Sequence, residues 1–403
     1  MPRHDPLVRA CLLLACGMVF PSHAGEARPD ATLAWNARLR YEHVDDAAFA
    51  RGADAATLRL RAGLRLGSER GWGALLEGEA IAATGAYNSG ANGRTDRPQV
   101  PDPAGVEFNQ AWLGWRGDRL AATAGRQRLL FDDQRWVGNS GWRQNEQTFD
   151  ALALEFAPRK AVALRYAFLA RVHRVNGDDA RDPLARERAL STHLLNAAWK
   201  HGRQALTGYG YLHEDRDLPA ASSATWGLRW SGSRALAGAS LAWTVEAARQ
   251  RDHANNPLRF SHAYWRVEPA LGVGEFTARA GWEHLGGDGA HALQTPLATL
   301  HAFNGWADKF PATPPDGLDD RYLGLSRRFG RERGGERAGW QLAWHDFRAD
   351  RGGARYGREW DASLSLPLRK GLAATLKLAD YRAGTFARDT RKAWLQLEYG
   401  GSR

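Results

Sequence analysis

Cysteine is almost missing from this chain of 403 residues, which has only Cys11 and Cys16. Both lie in a first segment with a basic start, a short apolar stretch over residues 10–20 and the small residues of Ser22-His23-Ala24. This pattern is typical of a cleaved signal peptide over residues 1–24. The remaining chain, residues 25–403, would then have no thiol for a disulfide, a CxxC metal site or a cysteine nucleophile.

A lipoprotein signal is the alternative interpretation of the same segment. Leu13-Leu14-Ala15-Cys16-Gly17 resembles a lipid-attachment box, in which Cys16 would be acylated and retained. The apolar residues continue to Phe20 and lead to an ordinary cleavage site after Ala24. We therefore expect ordinary cleavage and an exported protein.

Long apolar runs are missing as well. After residue 24 no stretch approaches the roughly 20 apolar residues that a transmembrane helix needs, and mean hydropathy is −0.51. A helical membrane protein is therefore excluded. A membrane barrel is not, because its strands alternate apolar and polar residues and so have the average hydropathy of a soluble protein.

Motifs of common enzyme classes are also missing. The chain contains no H-E-x-x-H, no G-x-S-x-G and no phosphate loop, and histidines such as His262 and His345 lack metal-ligand spacing. We expect no enzyme activity and no cofactor or metal. Spacing alone leaves one alternative open, a hydrolase whose Ser, His and Asn meet on a barrel wall.

The chain does have regular alternation of apolar and polar residues. In residues 57–67, leucines such as Leu58 and Leu60 alternate with arginines such as Arg59 and Arg61, which indicates a β-strand with one apolar face. Eighteen such runs are found, at residues 32–42, 57–67, 72–83, 108–116, 120–128, 148–157, 160–173, 191–200, 204–213, 224–231, 239–250, 261–271, 275–284, 321–328, 339–346, 358–366, 372–382 and 392–399.

Short and long connections between these runs alternate along the chain. Tight segments rich in Gly, Pro or charge alternate with long ones, of which residues 285–320 form the longest, and only residues 329–338 are long where a tight turn is due. This is the pattern of an all-β protein, a transmembrane antiparallel β-barrel of about 18 strands with short periplasmic turns and long extracellular loops. It predicts a location in the bacterial outer membrane, where the barrel assembly machinery and outer-membrane lipids would be partners.

Tryptophan fits the same interpretation, because aromatic rings concentrate at the two interfaces of a bilayer. Ten tryptophans share the apolar face of their runs: Trp35, Trp115, Trp199, Trp226, Trp230, Trp243, Trp265, Trp282, Trp340 and Trp344. The alternative is a soluble β-sandwich with these rings in its core.

Positive charge is in excess, with a formal net charge of +10. An exported basic protein suggests anionic partners such as an acidic polysaccharide, a small anionic solute or the phosphates of lipopolysaccharide, and no nucleic acid. Because side chains alternate between the two faces of a strand, Arg59, Arg61, Arg165 and Arg279 should point into the lumen. An excess of arginines over carboxylates there predicts an anion-selective channel. The alternative role of these arginines is to brace the wall through ion pairs with carboxylates.

Two segments resemble hallmarks of the alginate export family of outer-membrane porins. The first runs from Gly125-Arg126-Gln127-Arg128 to Gln147-Thr148-Phe149-Asp150, and the second contains Gln294-Thr295-Pro296-Leu297 and Phe303-Asn304-Gly305-Trp306-Ala307-Asp308-Lys309-Phe310. The resemblance implies an eighteen-stranded barrel with an electropositive pore that passes an acidic exopolysaccharide or small anionic solutes. A general nutrient-uptake porin is the alternative within transport.

Both segments fall in predicted extracellular loops, which can fold inward and narrow a pore. We expect four arginines of the first segment to line the path and three acids to hold their guanidinium groups in place. The arginines are Arg126, Arg128, Arg135 and Arg143, and the acids are Asp132, Asp133 and Glu146. The alternative is a rigid plug with no role in selectivity.

Overall fold

The computed structural model describes residues 30–68, 70–333 and 336–403. The predicted signal peptide, with Cys11 and Cys16, lies outside the described residues. Regular structure in the described part is nearly all β, and no helix in it reaches the length and hydropathy of a transmembrane helix. Its helical pieces are a short helix α1 at Pro183–Arg186 and two single 3-10 turns at Pro219–Ala221 and Leu300–Ala302.

Eighteen strands follow one another along the described residues, as the alternation predicts. They are β1 Ala31–Asp46, β2 Ala53–Gly67, β3 Gly71–Ala86, β4 Gly105–Arg116, β5 Leu120–Gln127, β6 Thr148–Arg159, β7 Val162–His173, β8 Glu187–His201, β9 Gln204–His213, β10 Ser223–Leu236, β11 Ala239–Asp252, β12 Ser261–Val273, β13 Phe276–Leu285, β14 Leu318–Arg333, β15 Glu336–Arg348, β16 Arg355–Arg369, β17 Leu372–Ala383 and β18 Thr390–Ser402.

The sheet closes on itself. Each strand pairs antiparallel with its neighbours in sequence, and β1 pairs both with β2 and with β18. Leu39, for example, lies opposite Leu58 on one side and Leu397 on the other. Closure removes every free strand edge, so all backbone polar groups of the wall can be paired as a membrane span requires. The predicted fold class is confirmed.

The two ends of the barrel differ. At one end, called the turn end, strands are joined by two or three residues, and at the other, the loop end, by six to 32 residues. The prediction of a connection of about ten residues at 329–338 is wrong, because β14 continues to Arg333 and β15 begins at Glu336. A register irregularity between Phe329 and Arg333 interrupts the alternation there, which hid the ends of both strands.

The outer face of the barrel is apolar. Leu58 and Leu60 are exposed on it, whereas Arg59 between them is buried toward the lumen. Six of the ten tryptophans are exposed on this face: Trp35, Trp115, Trp199, Trp226, Trp230 and Trp282. Because these rings surround a single closed sheet, the soluble β-sandwich with a tryptophan core is excluded.

The apolar core lies inside the barrel and is built largely by two loops that fold into it. Residues 128–147 and 286–317 meet at a bridge between Val137 and Leu297, where the backbone N–H of Gly138 donates to the carbonyl of Leu297 at 2.9 Å. Buried side chains of both loops, such as Phe131 and Phe310, pack in one cluster with wall residues. The expected inward folding of these loops is therefore observed.

Candidate functional site

Residues 139–144 of the first inner loop cross the lumen beside β1 and β2, and are called the constriction segment below. Arginines of the wall hold its backbone. Arg38 donates from Nη1 to three successive carbonyl oxygens of the segment at 3.1 to 3.4 Å. Arg40 donates to the carbonyl of Trp142, and Arg59 donates to the carbonyl of Gln144 at 3.3 Å. Bonds from charged donors to backbone oxygens are strong, so the segment is held in place by three guanidinium groups.

Trp142 is the bulky side chain of the constriction segment. Its ring stacks on the imidazole of His301 from the second inner loop, with centroids 5.0 Å apart, and meets the edge of Trp394 at 6.0 Å. The guanidinium of Arg40 lies 4.2 Å from the ring centroid, and Nζ of Lys377 lies 4.3 Å from it. Aromatic and cation–π contacts therefore fix this ring between the barrel wall and the second loop.

A cavity of about 340 Å³ lies on the loop-end side of the constriction segment. Its charged walls carry three cations, Arg143, Lys309 and Lys392, and two carboxylates, Asp46 and Asp308, a formal charge of +1. We call it the loop-end cavity.

A second cavity, of about 370 Å³, lies on the turn-end side. Four arginines and three glutamates line it, a formal charge of +1: Arg38, Arg59, Arg61, Arg128, Glu77, Glu146 and Glu398. Ser140 and Trp142 face the loop-end cavity, whereas Asn139 and Gly141 face this turn-end cavity. The constriction segment is therefore the partition between two net-positive compartments on one side of the lumen.

Arg59 is the least neutralised guanidinium of the turn-end cavity. Its nearest carboxylate oxygen belongs to Glu398 at 3.6 Å, and that carboxylate already accepts two bonds from Arg38 at 3.1 and 3.2 Å. Nε of Arg59 has no hydrogen-bond partner among the described residues, although the side chain is buried. A buried donor without a partner is costly, so the positive charge of Arg59 is only partly balanced by its surroundings.

Arg61 and Arg128 are better balanced. Arg128 pairs with Glu77 at 2.6 Å and with Glu146, which also binds Arg61 at 3.0 Å. Burial alone would raise the pKa of Glu146, but these two arginines and the amide of Asn109 lower it below its usual value. Glu146 is therefore ionised and holds Arg128, as expected from the sequence.

Arg126 does not line the lumen, and its prediction is corrected. It lies opposite Asp150 of β6, and Leu152, two residues further along that strand, is exposed on the outer face. Because successive side chains alternate, Arg126 is on the outer face too, where its Nε donates to Asp150 at 3.0 Å. The sequence predicted a strand as far as Arg128, but β5 ends at Gln127, so Arg128 enters the lumen with the loop.

Arg135 and Arg143 anchor the first inner loop. Arg135 pairs with Glu283 of β13 at 2.6 Å, and Arg143 lies 3.3 Å from Glu42 and 2.9 Å from Asp308. Burial would lower the pKa of each arginine, but the adjacent carboxylates raise it, so both stay charged. Arg143 also lines the loop-end cavity, whereas Arg135 serves to attach the loop to the wall.

A third cavity, of about 280 Å³, lies across the lumen and is formally acidic. Three arginines and five carboxylates line it, a formal charge of −2: Arg229, Arg266, Arg279, Asp133, Glu268, Glu283, Asp320 and Asp361. The predicted site residue Arg279 is therefore in an acidic compartment.

The two predicted acids of the first loop bind different groups from those expected. Asp133 binds the wall arginines Arg229, at 2.5 Å, and Arg266, and Asp132 accepts a bond from Asn196 at 2.8 Å. Neither pairs with an arginine of its own loop, because the loop places both acids against strands on the other side of the lumen from the turn-end cavity. Arg165 lines none of these three cavities. Its side chain is half-exposed, and its Nε lies 3.7 Å from a carboxylate oxygen of Glu155.

Several charged residues of the loop-end cavity were not predicted as site residues. Lys309 pairs with Asp46 at 2.6 Å, and Lys392 pairs with Asp308 at 2.9 Å. Lys392 and Glu398 lie an even number of residues apart on β18, so their side chains share the lumen face. The sequence could therefore have predicted the position of Lys392. Asp308 and Lys309 are loop residues, for which alternation gives no direction.

Docking of the second inner loop should weaken in acid. Burial lowers the pKa of His301 to about 3, against about 6.5 when exposed, and Nζ of Lys377, 2.6 Å from Nε2, lowers it further, whereas Asp308, 2.7 Å from Nδ1, acts in the opposite direction. Between these values the undocked loop binds more protons, so stability of the docked state is lost as pH falls below about 6.5.

We therefore expect more frequent gating transitions in single-channel recordings at pH 5 than at pH 7. The variant His301→Gln has no proton to take up and should show little difference between the two conditions. Equal gating of the unmodified protein at both pH values would contradict this assignment.

The family model for alginate export matches residues 30–282 of the chain, which is more than half of its length. No curated protein matches the chain in sequence.

Solved structures show the same fold. OpdK of Pseudomonas aeruginosa, determined with vanillate, is 16% identical, covers 93% of this chain and 99% of its own, and superposes with a TM-score of 0.69. OccAB2 of Acinetobacter baumannii is 14% identical, with coverage of 93% and 98% and a TM-score of 0.72. OpdO of P. aeruginosa is 16% identical, with coverage of 93% and 97% and a TM-score of 0.69. At these identities the likeness concerns the fold, an outer-membrane barrel of the porin type.

Proposed function

This chain belongs to the alginate export family, and from that premise we propose that it is a passive outer-membrane channel with a preference for small anions. The turn end then faces the periplasm and the loop end the exterior. No energy coupling or cofactor is needed, because solutes move down their gradient.

The observation that carries the proposal is the incompletely neutralised Arg59 in the turn-end cavity. The cavities on both sides of the constriction segment have a formal charge of +1 each, so an anion meets a favourable field before and after this segment. Guanidinium groups bind carboxylates with two parallel hydrogen bonds, which favours carboxylates among anions. The vanillate bound by the related barrel OpdK is a carboxylate of suitable size.

A small cargo fits this lumen better than a polymer. A polyuronate chain needs an open bore through the whole barrel, and residues 139–144 divide one side of the lumen into two compartments. We therefore assign small acids and single acidic sugars as solutes, and not an exported polysaccharide. The third cavity, with its formal charge of −2, favours a second candidate, a nutrient channel with little charge selectivity.

Three sugars of equal size and different charge test the proposal. Proteoliposomes containing the purified barrel would be loaded with glucuronate, glucose or glucosamine, or in a separate preparation with a long oligouronate, and efflux of each would be measured. We expect glucuronate to leave fastest and glucosamine slowest. Equal rates would favour the unselective nutrient channel, faster efflux of glucosamine would contradict anion preference, and release of a long oligouronate would favour polysaccharide export.

A further inference from the structure

A row of charged residues crosses four strands near the loop end of the barrel. Arg321 of β14 lies opposite Asp346 of β15, which lies opposite Arg358 of β16, which in turn lies opposite Arg382 of β17. Trp360, two residues from Arg358 on the same strand, is exposed on the outer face. Because side chains two apart share a face, the whole row is on the outside of the barrel and not in the lumen.

Three arginines of this region share one carboxylate. Nε of Arg348 and of Arg355 each lie 2.8 Å from Asp346, and Nε of Arg358 lies 3.3 Å from it. The carboxylate is almost covered, whereas the three arginine side chains are 34%, 42% and 51% exposed. One carboxylate balances one charge, so two positive charges of this triad remain available to an external anion.

The neighbouring strands do not remove this excess. Arg358 faces Arg382 directly, and like charges at opposite positions repel each other and favour nearby anions. Arg382 itself binds Asp380 at 3.1 Å and Asp389 at 3.4 Å. The whole patch has six arginines and five aspartates, a formal charge of +1: Arg321, Arg348, Arg355, Arg358, Arg382, Arg391, Asp45, Asp319, Asp346, Asp380 and Asp389.

Tryptophans set the height of this patch in the bilayer. Trp344 and Trp360 lie directly opposite each other, one alternation step closer to the turn end than Asp346 and Arg358. Tryptophan rings on the outer face of a barrel lie at the membrane interface. A step of two residues is about 7 Å along a strand, which places the arginines at the level of the lipid headgroups of the outer leaflet.

We propose that Arg348, Arg355, Arg358 and Arg382 form a binding site for the phosphate groups of lipid A, the membrane anchor of lipopolysaccharide. A phosphate accepts paired bonds from several guanidinium groups at once, and it would separate Arg358 from Arg382. The acyl chains of the same lipid would lie against the apolar outer face below, beside Trp344 and Trp360. The site is separate from the lumen and does not depend on what the channel transports.

Native mass spectrometry of the detergent-purified full chain tests the site. The probes are lipid A, the same lipid after removal of its phosphates, and inorganic phosphate. The test variant is Arg355→Gln with Arg358→Gln. The matched control is Arg327→Gln with Arg337→Gln, two exposed arginines that share Glu275 at the turn end.

We expect the unmodified and control proteins to retain lipid A, and the test variant to bind it about tenfold more weakly. Dephosphorylated lipid A should bind the unmodified protein as weakly as lipid A binds the test variant. Equal binding of lipid A by the test variant and the control would overturn the proposal. Displacement of lipid A by millimolar inorganic phosphate would also overturn it, because the site would then recognise the free ion and not the lipid.

A second variant separates binding from mere structural support. Asp346→Asn removes the carboxylate that the three arginines share but keeps the side-chain shape. If the arginines serve a lipid phosphate, retention of lipid A should increase, since more of their charge is free. If the triad only braces the strands, the same change should loosen it and reduce retention, which would contradict the proposal.

Discussion

Replacing Arg59 and Arg128 together with glutamine should change the channel from anion-preferring to cation-preferring. The turn-end cavity has four arginines and three glutamates, a formal charge of +1, and the double variant leaves two arginines against three glutamates, a charge of −1. In a narrow compartment of low polarisability the sign of this charge decides which ion is concentrated. Glutamine keeps hydrogen-bond donors toward the constriction segment, so the segment should stay in place.

The reversal potential in a salt gradient measures this change. Arg126→Gln is the matched control, because Arg126 belongs to the same loop junction but lies on the outer face against Asp150. The control should keep the selectivity of the unmodified protein. If the control alters the reversal potential as strongly as the double variant, the assignment of the path to the turn-end cavity is wrong.

Replacing Trp142 with alanine should raise single-channel conductance severalfold. The indole fills the space between the wall and the second inner loop, where it stacks on His301 and lies 4.2 Å from the guanidinium of Arg40. Its removal joins the loop-end and turn-end cavities, since Trp142 and Gly141 face opposite sides of the constriction segment. The barrel itself should remain folded, because strand pairing does not depend on this ring.

Trp142→Phe is the control for this prediction. Phenylalanine retains an aromatic ring beside His301 and Arg40, so conductance should rise only slightly. Planar-bilayer recordings under one salt condition compare the three proteins. Unchanged conductance of Trp142→Ala would mean that solutes do not pass the constriction segment, and that the acidic cavity across the lumen is the route.

The eighteen strands could be predicted because a barrel imposes one rule on every strand. Each residue such as Leu58 must face lipid and each neighbour such as Arg59 must face water, and this alternation is visible in the sequence alone. The prediction went wrong where the rule lapses, at the irregular pairing between Phe329 and Arg333. Alternation there no longer marks the end of a strand.

The candidate site was predictable only in part. The sequence indicated that the loop containing Arg128 and Arg143 folds inward, because its polar and aromatic side chains need partners. It could not show that β5 ends at Gln127, and this one-residue difference turns Arg128 into the lumen, whereas Arg126 stays on the outer face of its strand. The partners of Asp133 and Arg135 could not be predicted either, because they depend on which strands of the wall the loop contacts.

The reversal potential of the unmodified channel in a potassium chloride gradient tests the central claim most directly. Positive compartments on both sides of the constriction segment predict a potential displaced toward that of chloride. A potential displaced toward that of potassium would contradict the account, because the arginines lining these cavities would then not control what passes.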